Sequence, residues 1–232
     1  GKKDLKIQSS FTVDPDKFEN TVSKLKALDE SKFEKPVDAK ISDFVQGSGY
    51  SIIPETEGNT IDIAKAKEYI KSQLITLNNE INLDYEDNDL YEKPAKRSDD
   101  PTLNAALKNL NKYISARISY DKLNVLNGDT IHNWLTVNSD GSVSISDDGI
   151  ASFVKKVSNA YNTVGKPKTL KTSYGPTVTI TGGSYGWKVD TEKEKAAIRS
   201  LIEAGETAKR EPEYSRKAAS HGENDYGNSY VE

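Results

Sequence analysis

An internal repeat constrains this chain more than any other feature. Val13, Asp16, Phe18, Val22, Lys24 and Leu25 recur as Ile145, Asp148, Ile150, Val154, Lys156 and Val157, 132 residues further on. Gly58, Ile61, Asp62, Lys65, Lys67 and Ile70 recur as Gly186, Val189, Asp190, Lys193, Lys195 and Ile198, 128 residues further on. Spacing within each set is kept, and the four-residue shortening falls in the hairpin between them. Each copy reads as helix, hairpin, glycine-containing turn, capped helix, strand. Two versions of one module in tandem are the simplest account, the first over 1–98 and the second over 99–232. The boundary falls near Lys93–Pro101, a charged stretch bracketed by prolines. A length of 232 residues is comfortable for two domains of about 100–150 each.

Caps and apolar spacing predict six helices. Asp14-Pro15 opens the first, because Asp accepts from free N–H groups and Pro needs none at the first helical position. Phe18, Val22, Leu25 and Leu28 line its inner face. Asp62 caps the second, with Ala66, Tyr69, Ile70, Leu74 and Leu77 inward. Asp100-Pro101 opens the third (Leu103, Ala106, Leu107, Leu110), and a short fourth follows Asp129 (Ile131, Trp134, Leu135). Ser146-Asp147 opens the fifth, with Ile150, Phe153, Val154, Val157 and Tyr161 on one stripe. Asp190 caps the sixth, which carries Ala197, Ile198, Leu201 and Ile202 and stops at Gly205. Strand patterns flank Gly47-Ser48-Gly49 (37–45 and 50–53) and Gly175-Pro176 (168–174 and 177–181), with others at 79–85, 115–120, 122–126 and 142–145. Hairpins join many of them. The expected class is α+β: two mutually similar modules of helices packed on mainly antiparallel sheets.

Composition removes several functions. With no Cys the chain has no disulfide, thiolate metal site or cysteine nucleophile, and two His exclude a multi-His metal centre. No cofactor is implied. Formal net charge is −4, and neither half has the basic excess of a nucleic-acid binder. Apolar runs fall far short of a membrane helix, and no signal-peptide core is visible. There is no Met, so the chain reads as a fragment of a longer one.

Gly182-Gly183-Ser184-Tyr185-Gly186 matches the GxSxG nucleophile elbow. An elbow needs a helix almost at once after the serine. Here strand-like Trp187-Lys188-Val189 follows and the helix waits for Asp190, so a glycine-rich turn is the expectation. Asn138-Ser139-Asp140-Gly141 lacks the remaining ligands of a calcium loop and reads as a turn. The acidic run Asp84–Glu92 reads as a solvated loop, and His132 as a structural histidine beside Trp134. Catalytic and metal-binding residues are therefore expected to be absent. Tyr174, Tyr185 and Trp187 cluster around the second hairpin; they are the candidate ligand-contacting residues, since aromatic faces stack on sugar rings, with core packing the competing role.

The ordered series Gly128-Asp129-Thr130-Ile131, Trp134-Leu135, Thr181 through Asp190, Arg210-Glu211-Pro212-Glu213-Tyr214-Ser215 and Gly227 through Glu232 resembles the region preceding the catalytic domain of Gram-positive L,D-transpeptidases. Glu57 through Asp62 and Tyr91-Glu92-Lys93-Pro94 resemble the same family's peptidoglycan-binding domain. The family's Ser-x-Gly-Cys-x-Arg signature is absent. The resemblance implies a non-catalytic region on the extracellular face of the envelope. It would contact peptidoglycan weakly, through glycan strand or stem peptide. In a membrane-anchored parent it would be covalently linked to a transpeptidase domain. A structural spacer or protein-interaction scaffold without glycan affinity is the rival reading.

Overall fold

A computed structural model describes residues 12–84 and 89–221. Its six α-helices and small, mostly antiparallel sheets make the chain α+β. The backbone divides into two compact units. One holds the chain up to Lys40 together with Ile52–Asp100; the other holds Ile41–Ser51 and the chain from Pro101 onward.

The first unit is built on α1 (Pro15–Val22) and α2 (Ile63–Ile75). Asp14 caps α1 by accepting from the N–H groups of Asp16 and Lys17, both at 3.1 Å, and Asp62 caps α2 by accepting from Lys65 N at 3.1 Å. Val22, Leu28, Ile61, Ala66, Ile70 and Leu90 form the core, with Phe18, Phe33 and Tyr69 packed on it. Leu28 sits in a separate 3-10 turn after α1 has ended. Short strands β1 (Lys40–Ile41) and β2 (Ile52–Ile53) pair at the stem of the 41–51 loop. They are shorter than the expected 37–45 and 50–53, and other expectations fail here too. Helix α2 ends at Ile75, and Leu77 takes a left-handed φ of 59° and is exposed, so it buries nothing. Residues 79–84 form no strand, and the remaining residue of that expected strand lies outside the described residues.

The second unit begins with α3 (Pro101–Ile114) and the three-stranded sheet of β3 (Arg117–Tyr120), β4 (Leu123–Leu126) and β10 (Thr207–Lys209). β4 runs antiparallel to β3, whereas β10 runs parallel to it, with Ala208 opposite Ile118. α4 (Gly128–Ile131) starts one residue before Asp129, with Asn127 in the cap position. β5 (Leu135–Val137) and β6 (Val143–Ile145) form a hairpin leading to α5 (Asp147–Tyr161), which Ser146 caps through Gly149 N. β7 (Lys168–Lys171) and β8 (Thr177–Ile180) form a second hairpin. β9 (Lys188–Val189) pairs with β11 (Tyr214–Arg216), and between them α6 (Thr191–Ala204) packs on α3 and α5. Gly205 ends α6 at φ 70°, a conformation that costs glycine little.

Ile118, Leu126, Ile131, Ile150, Val154, Val157, Ile198 and Ile202 are each at most 1% exposed. Burial of side chains of this size contributes about 1.5–3 kcal/mol each, so this continuous cluster dominates the unit's stability. One charged group lies among them. Glu194 is fully buried; its carboxylate accepts from Tyr120 Oη, from Arg210 Nε at 3.3 Å and the Arg210 terminal nitrogen at 3.2 Å, and from Glu213 N at 2.7 Å.

At positions that align in the repeat, the units make the same bonds. Asp190 accepts from Lys193 N at 3.2 Å, as Asp62 does from Lys65 N. Asp62 N donates to Leu90 O and Asp190 N to Glu213 O, both at 2.8 Å. Ile61 pairs with Tyr91, and Val189 with Tyr214. Gly58 and Gly186 both have positive φ and press against backbone that follows an aligned helix, Glu34 to Pro36 after α1 in one unit and Thr163 and Val164 after α5 in the other.

Candidate functional site

The three aromatic residues singled out by sequence have different surroundings. Tyr174, at the tip of the β7–β8 hairpin, is 95% exposed. Tyr185 is half-buried; its hydroxyl accepts from Ala219 N at 2.9 Å, and Lys168 Nζ lies 5.5 Å from its ring centre. Trp187 stacks on His221 (3.9 Å, 11°) and meets Tyr214 edge-on at 4.6 Å. Its Nε1 donates to Ser220 O at 2.8 Å. The segment from Tyr214 to His221 thus lies across Tyr185 and Trp187. Tyr174 takes no part in these contacts.

Ser184 is followed by no helix until Thr191, and its carbonyl accepts from Arg216. His132 is half-buried and stacks on Phe44 at 4.1 Å and 11°. Residues 138–142 form a turn in which Asp140 accepts from Ser142 N and Oγ, and these bonds lower its pKa. Within the acidic run, residues 85–88 lie outside the described residues; Asp84 accepts from Tyr91 Oη at 2.9 Å and Asp89 pairs with Lys93 at 3.2 Å. Among the described residues no group of three or more His, Asp or Glu is placed to hold a metal ion.

Sequence reasoning missed a cleft in the second unit. The 41–51 loop folds against the end of α3 and the start of α4, leaving a hollow of about 520 Å³. Phe44, Asn111, Ser115, Arg117, Asn127 and Asp129 contribute to its lining. Asn111 holds the loop as a clamp: its Nδ2 donates to Tyr50 O and its Oδ1 accepts from Tyr50 N, both at 2.9 Å. Burial pushes the Tyr50 hydroxyl pKa up. Phe44 forms the apolar wall, braced by His132 and, at 5.6 Å, by Tyr50. Arg117, at the start of β3, is exposed, and no ion pair or side-chain hydrogen bond holds its guanidinium among the described residues. The Asp129 carboxylate accepts a long 3.3 Å bond from Asn127 Nδ2. The sequence signal was weak: Gly47-Ser48-Gly49 marks a turn, but nothing marks which helix that turn will meet.

The first unit carries a different hollow, an apolar groove of about 690 Å³ lined by Phe18, Val22, Leu25, Ile70 and Leu74. Their aligned counterparts Ile150, Val154, Val157, Ile198 and Ile202 are closed into one core with Ile118, Tyr120 and Leu126.

No curated protein matches the chain. Two solved structures show partial similarity: the Ldtfm–avibactam carbamoyl enzyme (25% identity, 49% of this chain and 46% of that one, TM-score 0.39) and a cysteine-to-serine mutant of Enterococcus faecium L,D-transpeptidase (25% identity, 47% and 45%, TM-score 0.38). The chain spans less than half the length of either. Residues 97–209, from the chain just before α3 through β10, match the family model described as "Putative peptidoglycan binding domain", a finding consistent with the N-terminal region of an L,D-transpeptidase.

Proposed function

We propose that this chain is a non-catalytic region that binds peptidoglycan and positions an L,D-transpeptidase-like cross-linking domain at the cell wall. The observation that carries the reading is the family match over 97–209, which takes in the sheet of β3, β4 and β10, helices α3 to α6, and the cleft residues from Asn111 to Asp129. Weak contacts suffice for such a role. A covalently linked domain sees its substrate at an effective concentration in roughly the millimolar range, so modest affinity still biases where it works.

In this reading the parent protein is membrane-anchored and works on the extracellular face of the envelope. The two units are tandem copies of one module, which the shared caps, strand pairings and glycine contacts support. Tyr174 is the aromatic ring offered to a sugar, while Tyr185 and Trp187 hold the 214–221 segment.

The test is co-sedimentation of the whole chain with purified sacculi. The reading predicts pelleting above background, reduced by Tyr174→Ala. Background-level pelleting of the unaltered chain favours a spacer or protein-interaction scaffold instead.

A further inference from the structure

We infer that the cleft between the 41–51 loop and the α3/α4 end of the second unit is a seat for the peptide stem of peptidoglycan, with Arg117 receiving a stem carboxylate. This rests on the cell-wall reading above and names the part of the polymer that is held.

The cleft has the size of a small-ligand site, and its lining residues are mainly polar around Phe44 and Ile114. Its volume of about 520 Å³ lies within the range usual for such sites, roughly 300–1,000 Å³. Its walls are held in place before any ligand arrives: the Asn111 clamp fixes the loop, and Phe44 is braced by His132 and Tyr50. A fixed site loses less ordering entropy on binding.

The charges select a peptide over a glycan. Arg117 presents a planar fork that no side chain occupies among the described residues, and such a fork matches a carboxylate bidentately. Asp129 supplies the opposite charge in the same lining, which suits a ligand carrying both an amine and a carboxylate. The Asn127 amide is of the kind that pairs with peptide N–H and C=O, and the Ser115 hydroxyl, which donates to Lys112 O at 2.6 Å, keeps a lone pair for a peptide N–H. A neutral sugar strand would instead need an open aromatic face. The one ring among the cleft's lining residues, Phe44, already stacks on His132.

The experiment uses the whole chain and three probes: intact sacculi, the stem peptides an amidase releases from them, and the peptide-free glycan strands left behind. Arg117→Gln, Arg117→Lys and Asp129→Asn are compared with the unaltered chain; both side chains are exposed, and circular dichroism checks that each variant folds. The inference predicts saturable binding of the stem peptides, weakened about tenfold by Arg117→Gln, less by Arg117→Lys, and a few-fold by Asp129→Asn. Stem peptides that do not bind while sacculi or glycan strands do, or that bind the Arg117→Gln chain as well as the unaltered one, overturn the cleft assignment and leave the cell-wall reading standing. Failure of intact sacculi to bind removes that reading and this inference with it.

Discussion

Glu194 and Arg210 form an ion pair, 3.2 Å apart, around a carboxylate with no solvent exposure. The pair ties the first turn of α6 to the segment just after β10, and Tyr120 on β3 joins it from the sheet. At the aligned position of the first unit stands Ala66, also fully buried. The same helix position is thus filled by a methyl group in one unit and by a paired charge in the other.

Removing one partner strands the other. Glu194→Ala leaves the Arg210 guanidinium and the Tyr120 hydroxyl without their acceptor, and the expected cost is about 3–5 kcal/mol. Glu194→Gln keeps the shape and one acceptor and costs less. Urea unfolding of the whole chain checks this. An unchanged midpoint for Glu194→Ala contradicts it.

Gly186 combines a backbone angle that side chains rarely adopt with close backbone contact. At φ 132°, a Cβ there would lie 2.8 Å from the backbone nitrogen of Val164. Gly186→Ala is expected to destabilise the second unit by about 1–3 kcal/mol. Gly165→Ala, at φ 76° with open space around it, is expected to cost about 1 kcal/mol or less. Thermal melts of the two variants test the order.

Alkaline pH acts through tyrosines. Burial, with the bond to Asp84, pushes the Tyr91 pKa up to about 12, and burial with the Glu194 contact raises that of Tyr120 further. A phenol whose folded pKa lies above its unfolded value near 10 stabilises the fold fully below that value and loses the contribution as pH rises through the folded one. Stability is therefore expected to hold up to about pH 10 and to fall from there towards pH 12. Absorbance titration near 295 nm should show Tyr91, Tyr120 and Tyr214 ionising after the exposed tyrosines. A single transition near pH 10 with the fold intact would contradict this.

The loop wall depends on Asn111. Asn111→Ala removes both bonds to the Tyr50 backbone and should cost about 1–3 kcal/mol locally. Faster proteolysis near Gly47-Ser48, without loss of the α-helical signal, is the expected result.

Local signals carried most of the helices. Asp14, Asp62, Ser146 and Asp190 each cap the helix the sequence assigned to them, because a cap is set by residues within one turn. Long-range relations were illegible. Glu194 sits in Thr191-Glu192-Lys193-Glu194-Lys195, a run that reads as a solvated face; its partner Arg210 lies 16 residues on, beyond a helix end and a strand. Strand β10 is three residues long, too short for alternation to show, and its parallel pairing with β3 is a tertiary fact. The cleft escaped for the same reason: Phe44 and Arg117 line one hollow only because the 41–51 loop docks on α3. Leu77 was misassigned because apolar spacing continues past the residue where the backbone turns left-handed.

The most direct measurement is hydrogen exchange of the whole chain, free and bound to sacculi. Slowed exchange concentrated within residues 97–209, strongest at the α3 end and the β4–α4 junction, is the predicted result. No slowing anywhere, or slowing confined to the first unit, would contradict the assignment of peptidoglycan binding to the second.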